Sequence, residues 1–246
     1  MVYNFTRFKI IYTTALLIIV SIAAFFAFRA LESPRIGDII EFGGIQWRVL
    51  DVQSSQMLII SEGIPGHRAF HEHWGDVTWA ASTIRQYLNG EFLEKFTEAE
   101  RSRIIKTLLT TPGTFWHEVY NPGGENTEDY VFLLSLDEVV RYFGDSGHLT
   151  DPHHTDNEPW LFGAKPIVFS DRYNENRIAI GWSGAGHWWW LRSPGAWDRT
   201  MTHVRGNGQI RITSGDIVRD GVVVAGNTGS IDNRDGGVRP AMWITR

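Results

Sequence analysis

The chain has 246 residues, 13% aromatic, with 11 Trp, 25 Gly, no Cys and a formal net charge of −5. The length suits one large domain or two small ones, and abundant glycine with abundant indole favours a β-rich, loop-rich fold over a helical bundle. The lack of cysteine excludes disulfides, thiolate metal ligands and thiol nucleophiles.

Arg7 and Lys9 precede residues 10–28, a run without any charge that Arg29 closes. At ~1.5 Å per residue a helix there spans roughly 28 Å, close to the ~30 Å hydrocarbon core of a bilayer. Phe25, Phe26 and Phe28 stand where a signal peptidase needs small residues, so the run predicts an uncleaved N-terminal transmembrane helix. On this expectation residues 1–9 are cytoplasmic, 10–28 span the lipid bilayer, and 29–35 form a linker broken by Pro34. Residues 36–246 become the extracytoplasmic domain of a single-pass cell-membrane protein. Setting aside Arg7, Lys9, Arg29, Arg35 and Glu32 leaves that domain 19 basic and 27 acidic groups of the chain's 23 and 28, a formal net of −8. Such a balance argues against a nucleic-acid partner.

The domain opens with three expected strands, residues 38–42, 45–52 and 56–61, joined by Gly43-Gly44 and Ser54-Ser55 as a β-meander. Trp47 and Val49, with Asp51 in the same alternation, are expected on one face of the middle strand. Ser82 caps a short helix through Leu88 that Asn89-Gly90 stops. Thr97 with Glu100 makes a capping box for a helix to about residue 105, and Ser135 with Glu138 a second one for a helix ending at Gly144. Residues 131–134 read as a short apolar strand. Residues 145–165, with Pro152, Pro159 and three histidines, form a long irregular loop. Further strands are expected over 201–205, 209–213 and 221–225, with Gly206-Asn207-Gly208 as a hairpin turn.

Residues 188–195, Trp-Trp-Trp-Leu-Arg-Ser-Pro-Gly, and their echo at 237–243, Gly-Val-Arg-Pro-Ala-Met-Trp, organise the rest. As strands, both are apolar on two faces and belong in a covered interior. Trp188, Trp190 and Arg192 fall on one side of the first, and Arg239 is an isolated cation in the second. The two ribbons are expected as neighbouring interior strands, with Trp188, Trp190, Arg192, Arg239 and Trp243 structural. Buried guanidinium groups need acceptors, so both arginines are expected to brace carbonyls or carboxylates, with ligand contact as the alternative.

Several constellations carry possible chemistry. His67, His71 and His73 form one cluster, and His148, His153 and His154 with Asp151 and Asp156 another. Either would suit a metal-dependent hydrolase of the cell envelope. Against it, Pro65-Gly66 disturbs a helix start and no Glu follows the first His, which favours solvated loop histidines. Gly144-Asp145-Ser146-Gly147 lies at a helix end where glycine is expected anyway. Glu125, Glu128 and Asp129 lack the spacing of an EF-hand. Between the two ribbons, Trp197, Asp198, Arg199, His203, Arg205, Asn207, Asp232 and Arg234 mix aromatic and polar groups on short strands and turns. That mixture suits ligand recognition, an ordinary hydrophilic rim being the plainer reading.

Residues 37–50 (Gly-Asp-Ile-Ile-Glu-Phe-Gly-Gly-Ile-Gln-Trp-Arg-Val-Leu), Thr78-Trp79, residues 84–89 with Phe92, residues 132–135, 189–195 and 237–243 occur in the order of a known pattern. Together they resemble the bacterial family called domain of unknown function 6273, over nearly all of residues 36–246. That family's C-terminal half is similar to C-type-lectin-like folds, including formylglycine-generating-type domains and the variable proteins of diversity-generating retroelements. The resemblance implies an α+β fold, a single C-type-lectin-like domain with a β-meander start, short helices and a mixed sheet, preceded here by the transmembrane helix. It further implies a ligand-facing surface between Trp197 and Arg234, recognising a surface glycan or protein. Copper-dependent formylglycine chemistry needs cysteines, and sugar-binding calcium lectins carry Glu-Pro-Asn and Trp-Asn-Asp; this chain has none of these. The fold therefore carries over and the activities do not; no cofactor, metal or catalytic residue is expected.

Overall fold

The computed structural model describes Ile18 and residues 33–72, 76–113, 122–145, 168–195, 200–212 and 236–246. The chain divides into two compact units, Met1–Arg35 and Ile36–Arg246. Among the described residues every strand lies in the second unit. The expectation of a membrane-spanning segment does not hold: among the described residues no helix is long and apolar enough to cross a membrane. Residues 10–28, Ile18 apart, lie outside the described residues, as do residues 221–225.

Strands β1 (Ile39–Phe42), β2 (Ile45–Val52) and β3 (Gln56–Ser61) form the expected meander. Gly43 and Gly44 turn the first hairpin with φ of 60° and 71°, the left-handed values that such a two-residue turn requires. A register shift between Val49 and Asp51 interrupts the alternation in β2, so Leu50 is buried alongside Trp47 and Val49. After β4 (Gly66–Arg68) comes a 3₁₀ turn, Trp79–Ala81, and then α1 (Thr83–Tyr87). Ser82 caps α1 by accepting the Arg85 N–H. Beyond α1 a wide turn over Leu88–Phe92 forms where Gly90 leaves helical angles.

The capping box of Thr97 and Glu100 opens α2, but α2 (Glu98–Arg101) ends before residue 105. Ile104 and Ile105 instead form β5 (Ile104–Ile105), pairing with Ile244 and Trp243. Tertiary pairing of β-branched side chains outweighs helix continuation here. Next come β6 (Thr107–Leu109), β7 (Thr127–Asp129) and α3 (Leu136–Phe143). The second capping box, Ser135 with Glu138, is present, and Gly144 ends α3 at φ 96°. Residues 131–134, expected as a strand, are all buried; among the described residues their one β-bridge joins Phe132 to Ala241, and the Leu134 carbonyl accepts the Arg192 N–H at 3.0 Å.

The remaining elements are β8 (Val168–Phe169), α4 (Asn174–Arg177), β9 (Ala179–Ile180), β10 (Gly186–His187), β11 (Trp189–Pro194), β12 (Met201–Val204), β13 (Ile210–Arg211), β14 (Gly236–Val238) and β15 (Ala241–Thr245). Among the described residues the strands make a five-stranded sheet, β1-β2-β3-β15-β5, and a six-stranded sheet, β4-β14-β11-β12-β13-β8. Two short ribbons, β6-β7 and β9-β10, accompany them. The architecture is α+β, with several sheets and few helices.

The two tryptophan ribbons differ from the expected side-by-side pair. The second breaks at Arg239-Pro240, where proline offers no N–H and restricts its predecessor. Its first half, β14, lies parallel to β11 with Trp189 opposite Gly237. Its second half, β15, crosses to the other sheet between β3 and β5. Trp190 and Trp243 thus belong to different sheets. Trp190 is fully buried and Trp243 half-buried against the single apolar core that both sheets share.

At this crossing Arg239 Nε donates to the Ser61 carbonyl at 3.0 Å, and Nη1 and Nη2 donate to the Arg177 and Glu62 carbonyls at 3.4 Å. Its guanidinium lies 4.9 Å from the Trp189 ring centre. Burial pushes that guanidinium down to about 9, with nearby Glu62 opposing the shift.

Candidate functional site

A cleft of about 350 Å³ opens where the end of β11 and the start of β12 meet the 3₁₀ turn and the Pro122-Gly123-Gly124 segment. Its floor includes Val77, Trp79, Thr111, Arg192, Pro194 and Met201; Asp76, Thr78, Ala81 and Pro122 stand at the exposed rim.

Trp79, the Thr111 backbone and Arg192 are each fixed by hydrogen bonds. The Trp79 indole N–H donates to Thr127 Oγ1 at 3.2 Å and to Asp129 Oδ2 at 3.0 Å. Asp129, itself buried, also accepts Arg85 Nε at 2.7 Å, and the Ser82 hydroxyl donates to the Trp79 carbonyl at 2.8 Å. Trp79 therefore cannot swing out without breaking a charged network. Gly124 N–H donates to the Thr111 carbonyl at 3.3 Å, and a Cβ on Gly123 would lie 1.6 Å from that same oxygen. Only glycine allows this approach of two backbones.

Arg192 is the most constrained group. Nη1 donates to the Leu133 carbonyl at 2.8 Å and to Glu138 Oε2; Nη2 donates to Glu138 Oε1 at 2.9 Å and to the Thr110 carbonyl at 3.3 Å. Glu138 is the same carboxylate that closes the capping box of α3, accepting the Ser135 N–H at 2.8 Å. A planar guanidinium meets a carboxylate two bonds at a time, and the charges match. What remains is Arg192 Nε, buried and without a hydrogen-bond partner among the described residues. Thr111 Oγ1 shares that condition. The two side chains are 3% and 5% exposed, and both line the cleft. Leaving a buried polar group unpaired costs about 1–3 kcal/mol.

A second cleft of about 300 Å³ lies beside Arg239, Arg48, Tyr142 and Phe143. Arg48 is paired there with Glu62.

The residues expected to face a ligand are distributed unevenly. Trp197, Asp198, Arg199, Asp232 and Arg234 lie outside the described residues. His203 sits inside β12, 8% exposed, with its ring centre 5.4 Å from Trp188 and 6.3 Å from Trp190. Arg205 and Asn207 occupy the β12–β13 hairpin, where Arg205 Nη1 donates to Gln209 Oε1 at 2.9 Å and Asn207 Oδ1 accepts the Gln209 N–H at 3.2 Å. Neither lines the cleft. Of the residues the sequence marks out as structural, Arg192 alone lines it. Trp79, Thr111 and Met201 carry no site signal in the sequence, because nothing in their local spacing connects residues so far apart in the chain.

For the histidines, His67 and His187 pack edge to face at 4.4 Å, and His71 Nδ1 accepts the Thr83 N–H at 3.3 Å. Among the described residues no three His, Asp or Glu side chains converge to hold a metal ion. His73 and the 148–156 cluster lie outside them.

No curated protein matches the chain, and no solved structure does. The family described as Domain of unknown function (DUF6273) matches residues 54–246, which include every residue lining the cleft. With most of its length matched and both sheets contributing to the matched region, the chain belongs to the DUF6273 family.

Proposed function

We propose that the domain is a binding module whose ligand enters the cleft between Trp79 and Arg192. The observation that carries this reading is the cleft itself, about 350 Å³, whose Trp79 indole and Arg192 guanidinium are held in place by their own hydrogen bonds. A pocket of mostly apolar lining with a few fixed polar groups is the usual form of a small-ligand site. Among the lining residues the titratable side chains are Asp76 and Arg192, and Arg192 is committed to Glu138. That set supports recognition better than it supports acid–base chemistry, and no observation favours the metal-dependent hydrolase.

The sequence expectation of a surface glycan or protein as ligand, and of a lectin-like C-terminal half, belongs to this same proposal. Trp197, Asp198 and Arg199 lie in sequence between Pro194 and Met201, both of which line the cleft.

The absence of native cysteine makes the test clean. The full chain carrying Ala81→Cys is applied to glycan and peptide arrays before and after reaction with a bulky maleimide. The unlabelled variant is expected to retain ligands as the parent does, and the labelled one to lose at least about tenfold. Equal retention after labelling, or no retention by the parent, contradicts the proposal.

A further inference from the structure

We propose that the β9–β10 hairpin is a second binding site, which takes a neutral sugar ring on the face of Trp182. Trp182 is 86% exposed, more than any other large apolar side chain among the described residues. An indole left that bare calls for a reason, because few side chains gain more from burial. Trp182 does not line the cleft beside Arg192, and the proposal does not rest on that cleft.

The hairpin holds the ring out on a fixed support. Ile180 pairs with Gly186, and Ala179 with His187. Across the turn Gly181 N–H donates to the Ala185 carbonyl at 2.9 Å and Gly184 N–H to the Gly181 carbonyl at 3.0 Å, with Gly184 at φ 77°. The base is tied to the rest of the domain. Ile64 N–H donates to the Ile180 carbonyl at 3.0 Å, and a Cβ on Gly186 would lie 2.2 Å from the Gly206 carbonyl oxygen. Burial alternates from buried Ala179 to exposed Trp182, so Ile180, 50% exposed, stands on the same side as the indole. A ring already held in place binds without first losing freedom.

Size and charge decide what fits there. Residues 178–186 carry no charge, so an ionised ligand finds no counter-charge in the hairpin. One indole and half an isoleucine offer on the order of 300 Å² of apolar surface. A standard protein interface needs about 800 Å² from each partner, so the patch is too small for one. A single ring is also a poor membrane anchor, and the acidic balance of residues 36–246 repels anionic lipid. A nucleotide would stack on the indole too, but it brings phosphate into the same negative field. A pyranose ring meets each condition. Its face of weakly positive C–H groups lies flat on the electron-rich face of an indole. Its hydroxyls stay at the edge, toward water and the exposed Ser183 beside Trp182.

The test uses the full chain with 5-fluorotryptophan in place of its 11 tryptophans. The ¹⁹F resonance of Trp182 is the one missing from Trp182→Phe. The probes are cellotriose, chitotriose, maltotriose, adenosine monophosphate and phosphatidylcholine vesicles. A shift of the Trp182 resonance with at least one trisaccharide is the expected result, with the buried Trp47, Trp79, Trp189 and Trp190 unmoved. Trp182→Ala, which removes a side chain in little contact with the core, is expected to melt as the wild type does. Its affinity for that trisaccharide, read by saturation transfer to the sugar protons, is expected to fall at least about tenfold. Ala81→Cys carrying the maleimide is expected to keep the Trp182 shift, so the two sites stand or fall separately. No shift with any trisaccharide, or a shift with the nucleotide or the vesicles alone, overturns the proposal. So does a Trp182→Ala variant that binds the trisaccharide as the wild type does.

Discussion

His203 shows what burial does to a single ionisable group. Its imidazole is surrounded by Trp188 and Trp190 and sits opposite Arg211 across the β12–β13 pair. Burial, reinforced by the charge of Arg211, pushes it from 6.5 down to about 3. The native protein thus holds His203 neutral where the unfolded chain would protonate it. Stability from this group is complete above about pH 6.5 and is lost as pH falls toward about 3, with a slope of at most about 1.4 kcal/mol per pH unit. Denaturant unfolding of wild type and His203→Phe between pH 7 and 4 checks this. The stability difference between the two is expected to shift in favour of the variant as pH falls; parallel curves would contradict it. Arg192 shows the opposite strategy, a buried charge kept by a matching carboxylate, which left one donor over.

At the scale of elements, the first hairpin is set by two glycines in different surroundings. Both have positive φ, but a Cβ on Gly43 would sit 2.3 Å from the Phe96 ring, while one on Gly44 meets nothing within 4 Å. Gly44→Ala is expected to cost about 1–2 kcal/mol from backbone strain alone, and Gly43→Ala about 1–3 kcal/mol more because Phe96 must move. Equal losses in thermal or denaturant unfolding would show that the ring contact contributes nothing. The meander was legible in the sequence because alternation, turn residues and strand lengths agree there. Both capping boxes were legible for the same reason: Thr97 with Glu100, and Ser135 with Glu138, satisfy their own backbone groups locally. The end of α2 was not legible. Ile104 and Ile105 leave the helix only because β15, well over a hundred residues later, supplies a partner.

Across the whole molecule, Arg239-Pro240 ties the two sheets together, since the strand before it joins one and the strand after it joins the other. β15 lies between β3 and β5, and Ala241 also exchanges backbone hydrogen bonds with Phe132 at 2.9 and 2.7 Å. A chain ending at residue 240 is expected not to fold, giving a circular dichroism spectrum without cooperative melting; a cooperative transition would contradict the central place of β15. The cleft was the least legible feature. It is assembled from residues 76–79, 81, 111 and 122–124 with Arg192, Pro194 and Met201, which only folding brings together. The sequence marked Arg192 by its apolar neighbours, yet held no sign that one of its donors would remain unmet. What occupies that place decides the role of the whole domain. Crystals of the full chain soaked in a glycan or peptide retained on the arrays are predicted to show density in the cleft against Trp79 and Met201. Density only elsewhere on the surface, or an unchanged cleft at saturating probe, would contradict it.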